Sequence, residues 1–130
     1  MKRHLILLLC AGMLIAGCAQ TATDPEAPAN SIEAYLEALV SKDSETFSTL
    51  FCADYESEAL IEFDSFGAVD AELEDATCTA GESTDAGTVV TCTGSIKIVY
   101  DGETNNSLDL SRTPYLAVQE DGEWKMCGYS

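Results

Sequence analysis

The sequence predicts an α+β domain, with N-terminal helices packed on one face of a curved antiparallel sheet of about four strands. Two patterns carry this expectation. Between residues 30 and 63 apolar side chains recur at helical spacing. Beyond residue 73 Thr and Val become dense, alternate in face, and are interrupted by Asp-Gly turns. Helices followed by a strand meander, rather than strands and helices in alternation, point to α+β.

The first helix is the clearest element. Ile32, Tyr35, Leu36, Leu39 and Val40 form one apolar stripe, with Glu33, Glu37 and Lys42 off it. Asn30 followed by Glu33 reads as a capping box, which starts the helix at residue 30. Residues 41–44 break it. A second helix starts near Asp43 or Ser44, with Phe47, Leu50 and Phe51 as its apolar face and Cys52 closing it. A third, short piece covers 59–63 and ends at 64–67. The strands follow: a weakly patterned one over 73–80, a long one over 88–100, a third over 108–118 and a fourth over 124–129. In the long strand Val90, Cys92, Ile96, Ile98 and Tyr100 share a face. Gly94 between them signals a bulge or bend. Asp101-Gly102 and Asp121-Gly122 are hairpin turns, and Pro114 places its strand at an edge or a bulge.

The N-terminus is a different kind of segment. Lys2, Arg3 and His4 precede an apolar run over 5–15, too short for the roughly 20 residues a bilayer-spanning helix needs. The ending Ile15-Ala16-Gly17-Cys18 resembles the bacterial lipobox, an aliphatic residue and two small ones before Cys. The resemblance implies a signal peptide over 1–17 and a diacylglyceryl group on the Cys18 thiol. Residues 18–29, small and polar with two prolines, then read as a disordered tether, and 30–130 as the folded domain. This locates the protein at the cell envelope, on the outer face of the cytoplasmic membrane or in the outer membrane. Ala19 stands where an Asp commonly marks inner-membrane retention.

From Cys18 onward the chain carries four basic residues (Lys42, Lys97, Arg112, Lys125) and all 23 acidic ones, a formal net charge of 4 − 23 = −19. Such a field repels nucleic acid and anionic headgroups. Cys52, Cys78, Cys92 and Cys127 remain after Cys10 and Cys18 are set aside, and an even count in an exported domain reads as two disulfides. Four cysteines allow three pairings, and sequence alone leaves the choice open. If the first hairpin turns near Asp85, Cys78 and Cys92 face each other across it, which leaves Cys52 with Cys127. No two of the four are closer than 14 positions, which disfavours a zinc knuckle.

A wider resemblance rests on three stretches: Tyr35-Leu36-Glu37-Ala38-Leu39 with its Lys42-Asp43 break, Leu50-Phe51-Cys52, and the closing run from Asp121 to Cys127 with Trp124 inside it. Together they resemble small lipoproteins of the nuclear transport factor 2-like superfamily. The resemblance covers about residues 30–129 and implies a cone of curved sheet wrapped around helices. A pocket inside such a cone would draw on Tyr35, Phe51, Ile96, Ile98 and Trp124. Members include isomerases, dehydratases and association modules, so fold does not choose function.

The residues argue against catalysis. No His remains once His4 leaves with the signal peptide, which removes His-based acid–base work, nucleophile activation and metal ligation. Tyr35 with Asp54, Glu58 or Glu62 is what is left, and the spacing singles out none of the three. An EF-hand loop from Asp64 fails, since Phe66, Ala68 and Val69 occupy required positions. Phosphate-binding and dinucleotide motifs are absent, and no cofactor is implied. Trp124 reads as core or a sheet-face plug, and Arg112 as a cross-strand partner for a carboxylate. Two functions survive, and the absence of His and of a distinct acid–base pair favours the first. One is a non-catalytic binding or protein-interaction module, contacting an envelope protein or a second copy through the sheet face. The other is a carrier or His-independent enzyme for a small apolar ligand. A cone plugged by these side chains and Phe47 favours the first, and a cavity holding a desolvated carboxylate favours the second.

Overall fold

The computed structural model describes residues 24–130, apart from the side chains of 104 and 105. The lipobox and Cys18 lie outside the described residues. Helix α1 spans Ala27–Ser41, α2 Ser44–Phe47 and α3 Glu56–Phe66, the last entered through a 3-10 turn at Ala53–Tyr55. Strands β1 Asp70–Thr84, β2 Gly87–Tyr100, β3 Glu103–Asp109, β4 Tyr115–Glu120 and β5 Glu123–Tyr129 complete the chain. The protein is α+β, with its helices against an open antiparallel sheet of five strands in the order β1-β2-β4-β5, and β3 also paired to β2. Among the described residues no helix is long and apolar enough to cross a membrane.

Helix α1 starts three residues before the expected cap. Pro28 sits in its first turn, where the missing N–H costs nothing, and Pro28 and Ala29 are buried. Residues 27–29 are therefore helix rather than tether, and Asn30 lies inside it without capping. Glu33 does not close a capping box either: its carboxylate accepts the Cys78 N–H at 2.7 Å and ties α1 to β1. At the other end Lys42 takes a left-handed conformation, φ 58°, and Asp43 N–H reaches the Ala38 carbonyl, a Schellman-type stop. Ile32, Tyr35, Leu36 and Leu39 of the stripe are almost fully buried. The expected second helix is only four residues long. Phe51 beyond it forms a parallel bridge to Met126, and Leu50 and Cys52 exchange backbone bonds with Met126, covering the edge of β5. Cys52 and Cys127 are joined there, and Cys78 and Cys92 are joined across β1 and β2, where they are register partners.

Strand β1 is nearly twice its expected length, and a bulge explains its weak pattern. Between the pairs Glu74–Ser95 and Thr77–Thr93, Asp75 and Ala76 stand opposite Gly94 alone. Two residues against one reverse the alternation. Ala71 and Leu73 pack on the core before the bulge, and Ala76, Cys78 and Ala80 after it. On β2 the inward parity is unbroken, so Val90, Cys92 and Ile96 are all buried. Gly94 has φ +91°, and a Cβ there would lie 2.5 Å from the carbonyl oxygens of Glu74 and Asp75.

The expected third strand is two strands. Asp109 ends β3 by accepting both the Ser111 N–H (2.9 Å) and the Ser111 hydroxyl (2.7 Å), an Asx turn that starts the 3-10 turn Leu110–Arg112. Leu110 plugs into the core at 4 % exposure. Pro114 lies between that turn and β4, in neither strand. Strand β3 pairs with residues 95–100 of β2 and β4 with residues 88–90, on the same edge. The two Asp-Gly turns close their hairpins as expected, with positive φ at Asp101, Gly102, Asp121 and Gly122.

Two stability outcomes follow from these constraints. Gly94→Ala combines a positive φ with a backbone clash and is expected to cost about 2–4 kcal/mol. Gly102→Ala, at φ +79° with nothing within 4 Å, is expected to cost only about 1 kcal/mol. Urea denaturation compares them, and equal losses would show that the bulge does not constrain the sheet. Cys52–Cys127 closes a separation of 75 residues and Cys78–Cys92 one of 14. Loop entropy gives them about 4 and about 3 kcal/mol. The variant lacking the 52–127 bridge should have the lower urea midpoint, and the reverse order would mean that strain or residual structure outweighs loop length.

Candidate functional site

The site is built where α1, α3 and the ends of β4 and β5 meet. Tyr35 projects from the buried stripe of α1. Tyr55 and Glu62, seven residues apart, share a face of the segment that becomes α3. Tyr115 begins β4 and Tyr129 ends β5, and the two are register partners. Their rings lie 5.3 Å apart, and Tyr55 meets Tyr129 edge-on at 6.3 Å. Below them Phe47 packs against Tyr35, Phe51 and Phe63 at centroid distances of 4.8, 5.4 and 4.7 Å.

Glu62 is the centre of this arrangement. The Tyr35 hydroxyl donates to its Oε2 at 2.7 Å, the Tyr129 hydroxyl to its Oε1 at 2.7 Å, and Tyr55 to Oε2 at a longer 3.5 Å. The half-buried carboxylate is thus satisfied by hydroxyl donors from three elements and by no cation. The phenols respond. Burial, then the charge of Glu62, pushes Tyr55 and Tyr115 up to about 12. The same causes, with a direct hydrogen bond to Glu62, raise Tyr35 and Tyr129 further. Tyr129 leaves 45 % of its surface exposed, so water screens it more than Tyr35, which is fully buried. Tyr35, Tyr55 and Tyr129 act as hydrogen-bond donors rather than bases.

Glu62 lines a cavity of about 550 Å³ that runs to the 3-10 turn, within the usual range for small-molecule sites. Leu36, Phe66, Ile96, Leu108 and Tyr115 form apolar wall, and Asp109 and Arg112 are its other charged residues. A second hollow of about 430 Å³ shares Phe66, Asn106 and Leu108 with it and continues along Val69, Ile98 and Tyr100. Arg112 is not the cross-strand ion-pair partner expected of it. The Asx turn removes it from the strand ladder, and the ion pairs of the described residues are Lys42–Asp70 (3.5 Å), Lys97–Glu74 (2.6 Å) and Lys125–Glu120 (4.0 Å). Asp109 has its carboxyl held low mainly by the Ser111 bonds, with a smaller effect from Arg112. Among the described residues no three carboxylate, Cys or His side chains gather to hold a metal.

Of the residues expected to line a pocket, Ile96 lines the Glu62 cavity and Ile98 the adjoining hollow. Tyr35 touches the site through its hydroxyl. Phe51 belongs to the packed aromatic core. Trp124 borders two other hollows, of about 370 and 350 Å³, that share no residue with the Glu62 cavity. The structure singles out Glu62 from the three acids proposed to approach Tyr35. Tyr55, Tyr115, Tyr129 and Arg112 were not expected in the site. The seven-residue spacing of Tyr55 and Glu62 was the one signal for them in the sequence.

The phenols make a checkable pH dependence. Unfolded, each ionises near 10.0, and folded, each keeps its proton to higher pH. Their contribution to stability is therefore complete below pH 10 and is lost above it, through about 12 for Tyr55 and Tyr115 and at still higher pH for Tyr35 and Tyr129. Ultraviolet titration of tyrosinate should show Tyr35, Tyr55, Tyr115 and Tyr129 ionising together with alkaline unfolding. Ionisation of these four near pH 10 with the fold intact would contradict the Glu62 network.

No family model, no curated protein and no solved structure matches this chain.

Proposed function

We propose that this chain is an exported, lipid-anchored domain of the cell envelope that binds a small molecule in the Glu62 cleft without transforming it. The observation that carries the reading is the cavity itself. A half-buried carboxylate with its donors already in place lines a space of about 550 Å³ whose wall is part apolar, part polar. Preorganised polar groups in an apolar cleft are the common form of a small-molecule site. Export and anchoring rest on the lipobox-like Ile15-Ala16-Gly17-Cys18, and the two disulfides are consistent with an oxidising compartment. Acyl chains on Cys18 would contribute about 0.8 kcal/mol per buried CH₂. We read the fold as a nuclear transport factor 2-like cone, supported by helices held against a sheet bent at Gly94.

A binding rather than catalytic role is supported by how the polar groups are used. Both Glu62 oxygens accept short bonds from phenols, which leaves the carboxylate poorly placed to abstract a proton. The phenols are held protonated, and the other carboxylate of the cavity, Asp109, is engaged by the N–H and hydroxyl of Ser111. A protein-contact role has one observation in its favour, the exposure of Leu60 (46 %) and Ile61 (68 %) on α3.

The test is thermal denaturation of the full chain in lipid nanodiscs against small apolar, cationic, anionic and zwitterionic compounds. A ligand at about 100 times its Kd should add about 2.7 kcal/mol, roughly 10 °C for a domain of this size. Leu108→Trp, which fills the space shared by both hollows, should abolish that shift. A panel in which nothing shifts the melting point, or a shift that survives Leu108→Trp, would defeat the proposal.

A further inference from the structure

We propose that the ligand of this cleft is a small zwitterion, bound with its ammonium end against Glu62 and the tyrosines and its carboxylate on Arg112. The inference rests on the binding-site reading above and assigns the chemistry of the occupant. It starts from a pairing that the structure does not make. The described chain has four cations, and the three lysines each hold a carboxylate. Arg112 is the fourth, and among the described residues it makes no ion pair, although the chain carries 23 acids. Glu62 lines the same cavity and is bonded to hydroxyls alone. The cleft therefore carries two carboxylates, Glu62 and Asp109, and one guanidinium, and no ion pair within 4.0 Å joins Arg112 to either acid.

Each end suits a different part of a ligand. The guanidinium presents a planar fork of donors that matches a carboxylate with two parallel bonds, and it keeps its charge at every physiological pH. At the other end the carboxylate stands beside the rings of Tyr115 and Tyr129, 5.3 Å apart. Aromatic faces next to an anion are a favourable setting for an ammonium group. Leu36, Phe66 and Ile96 line the same cavity and offer apolar wall for a short hydrocarbon body.

The alternatives with one charge fit less well. A simple anion would approach against a net charge of −19 and meet Asp109 beside Arg112 and Glu62 beyond it. A simple cation would be steered inward by that field but would meet the like charge of Arg112, which Asp109 offsets without an ion pair. An apolar molecule would cover both charged groups without pairing either, which is costly. A zwitterion feels little net repulsion and answers both groups with its own dipole.

The experiment is calorimetric titration of the full chain in nanodiscs with trimethylammonio carboxylates of rising chain length, beginning with glycine betaine. Choline is the cation-only control, and tert-butylacetate, which replaces the ammonium nitrogen by carbon, is the anion-only control. One chain length should bind at least tenfold more tightly than either control. Arg112→Gln and Glu62→Gln should each weaken it tenfold or more, with Arg112→Lys recovering part of the loss. Arg112 is exposed, so its variants remain informative even where Glu62→Gln weakens folding. Binding of choline or tert-butylacetate as tight as the best zwitterion, or indifference to Arg112→Gln, would overturn the inference. So would failure of the whole series while another compound gives a shift that Leu108→Trp abolishes, and in these cases the cleft stands as a binding site. If no compound of any class binds, both readings fall.

Discussion

The bulge at Gly94 constrains more of this structure than any other single feature. Asp75 and Ala76 stand against one glycine, and the space beside that glycine is closed by two carbonyl oxygens, so no side chain fits there. The extra residue interrupts the ladder between β1 and β2 and carries the inward face of β1 from odd to even positions. The edge of β2 opposite β1 is divided near the same place. Strand β3 holds one side of the division, β4 the other, and the turn at Leu110–Arg112 crosses between them. That turn puts Arg112 into the cavity wall and Leu110 into the core. The shape of the site thus begins with a backbone requirement on a strand that lends only Ile96 to its lining.

A second principle is the use of hydroxyls where a cation is more usual. A carboxylate drawn partly out of water needs compensation, and an unpaired one is expensive. Here three phenols supply it, from α1, the start of α3, and β5. Each phenol presents an apolar ring to the core and a single donor to the carboxylate, so the same residues serve packing and polar satisfaction. The arrangement links three separate elements through one side chain on α3, a helix with only Ala59 and Phe66 buried.

The fold was largely legible because its signals are local. The stripe from Ile32 to Leu39, the Asp-Gly turns and Gly94 each declare themselves within a few residues, and the hairpin near Asp85 brings Cys78 opposite Cys92. What was not legible depends on tertiary competition. Asn30 and Glu33 have the composition of a capping box, but Pro28 and Ala29 gain more by burial in the helix, and Glu33 gains a partner in Cys78 N–H. The span from 108 to 118 reads as one strand because apolar residues continue through it. Only the side chain of Asp109 and the missing N–H of Pro114 break it. The site was less legible still. Tyr115 and Tyr129 reach Glu62 through the pairing of β4 with β5 and the position of α3, and neither is written in spacing along the chain. Trp124, the residue most conspicuous by type, sits elsewhere.

The two disulfides are nested, since the segment from 78 to 92 lies wholly inside the segment from 52 to 127. A single proteolytic nick anywhere from 53 to 126 therefore separates nothing: both pieces remain one covalent molecule. The tip of the first hairpin is enclosed twice, and α3, β3 and β4, which build the cleft, are enclosed once. Only a cut outside 52–127 releases a fragment at one stroke, and the longest such stretch includes α1 and everything before it. The crosslinked domain keeps its cleft tethered through cuts that would dismantle an uncrosslinked fold, and it is most vulnerable along the stretch that ends with α1.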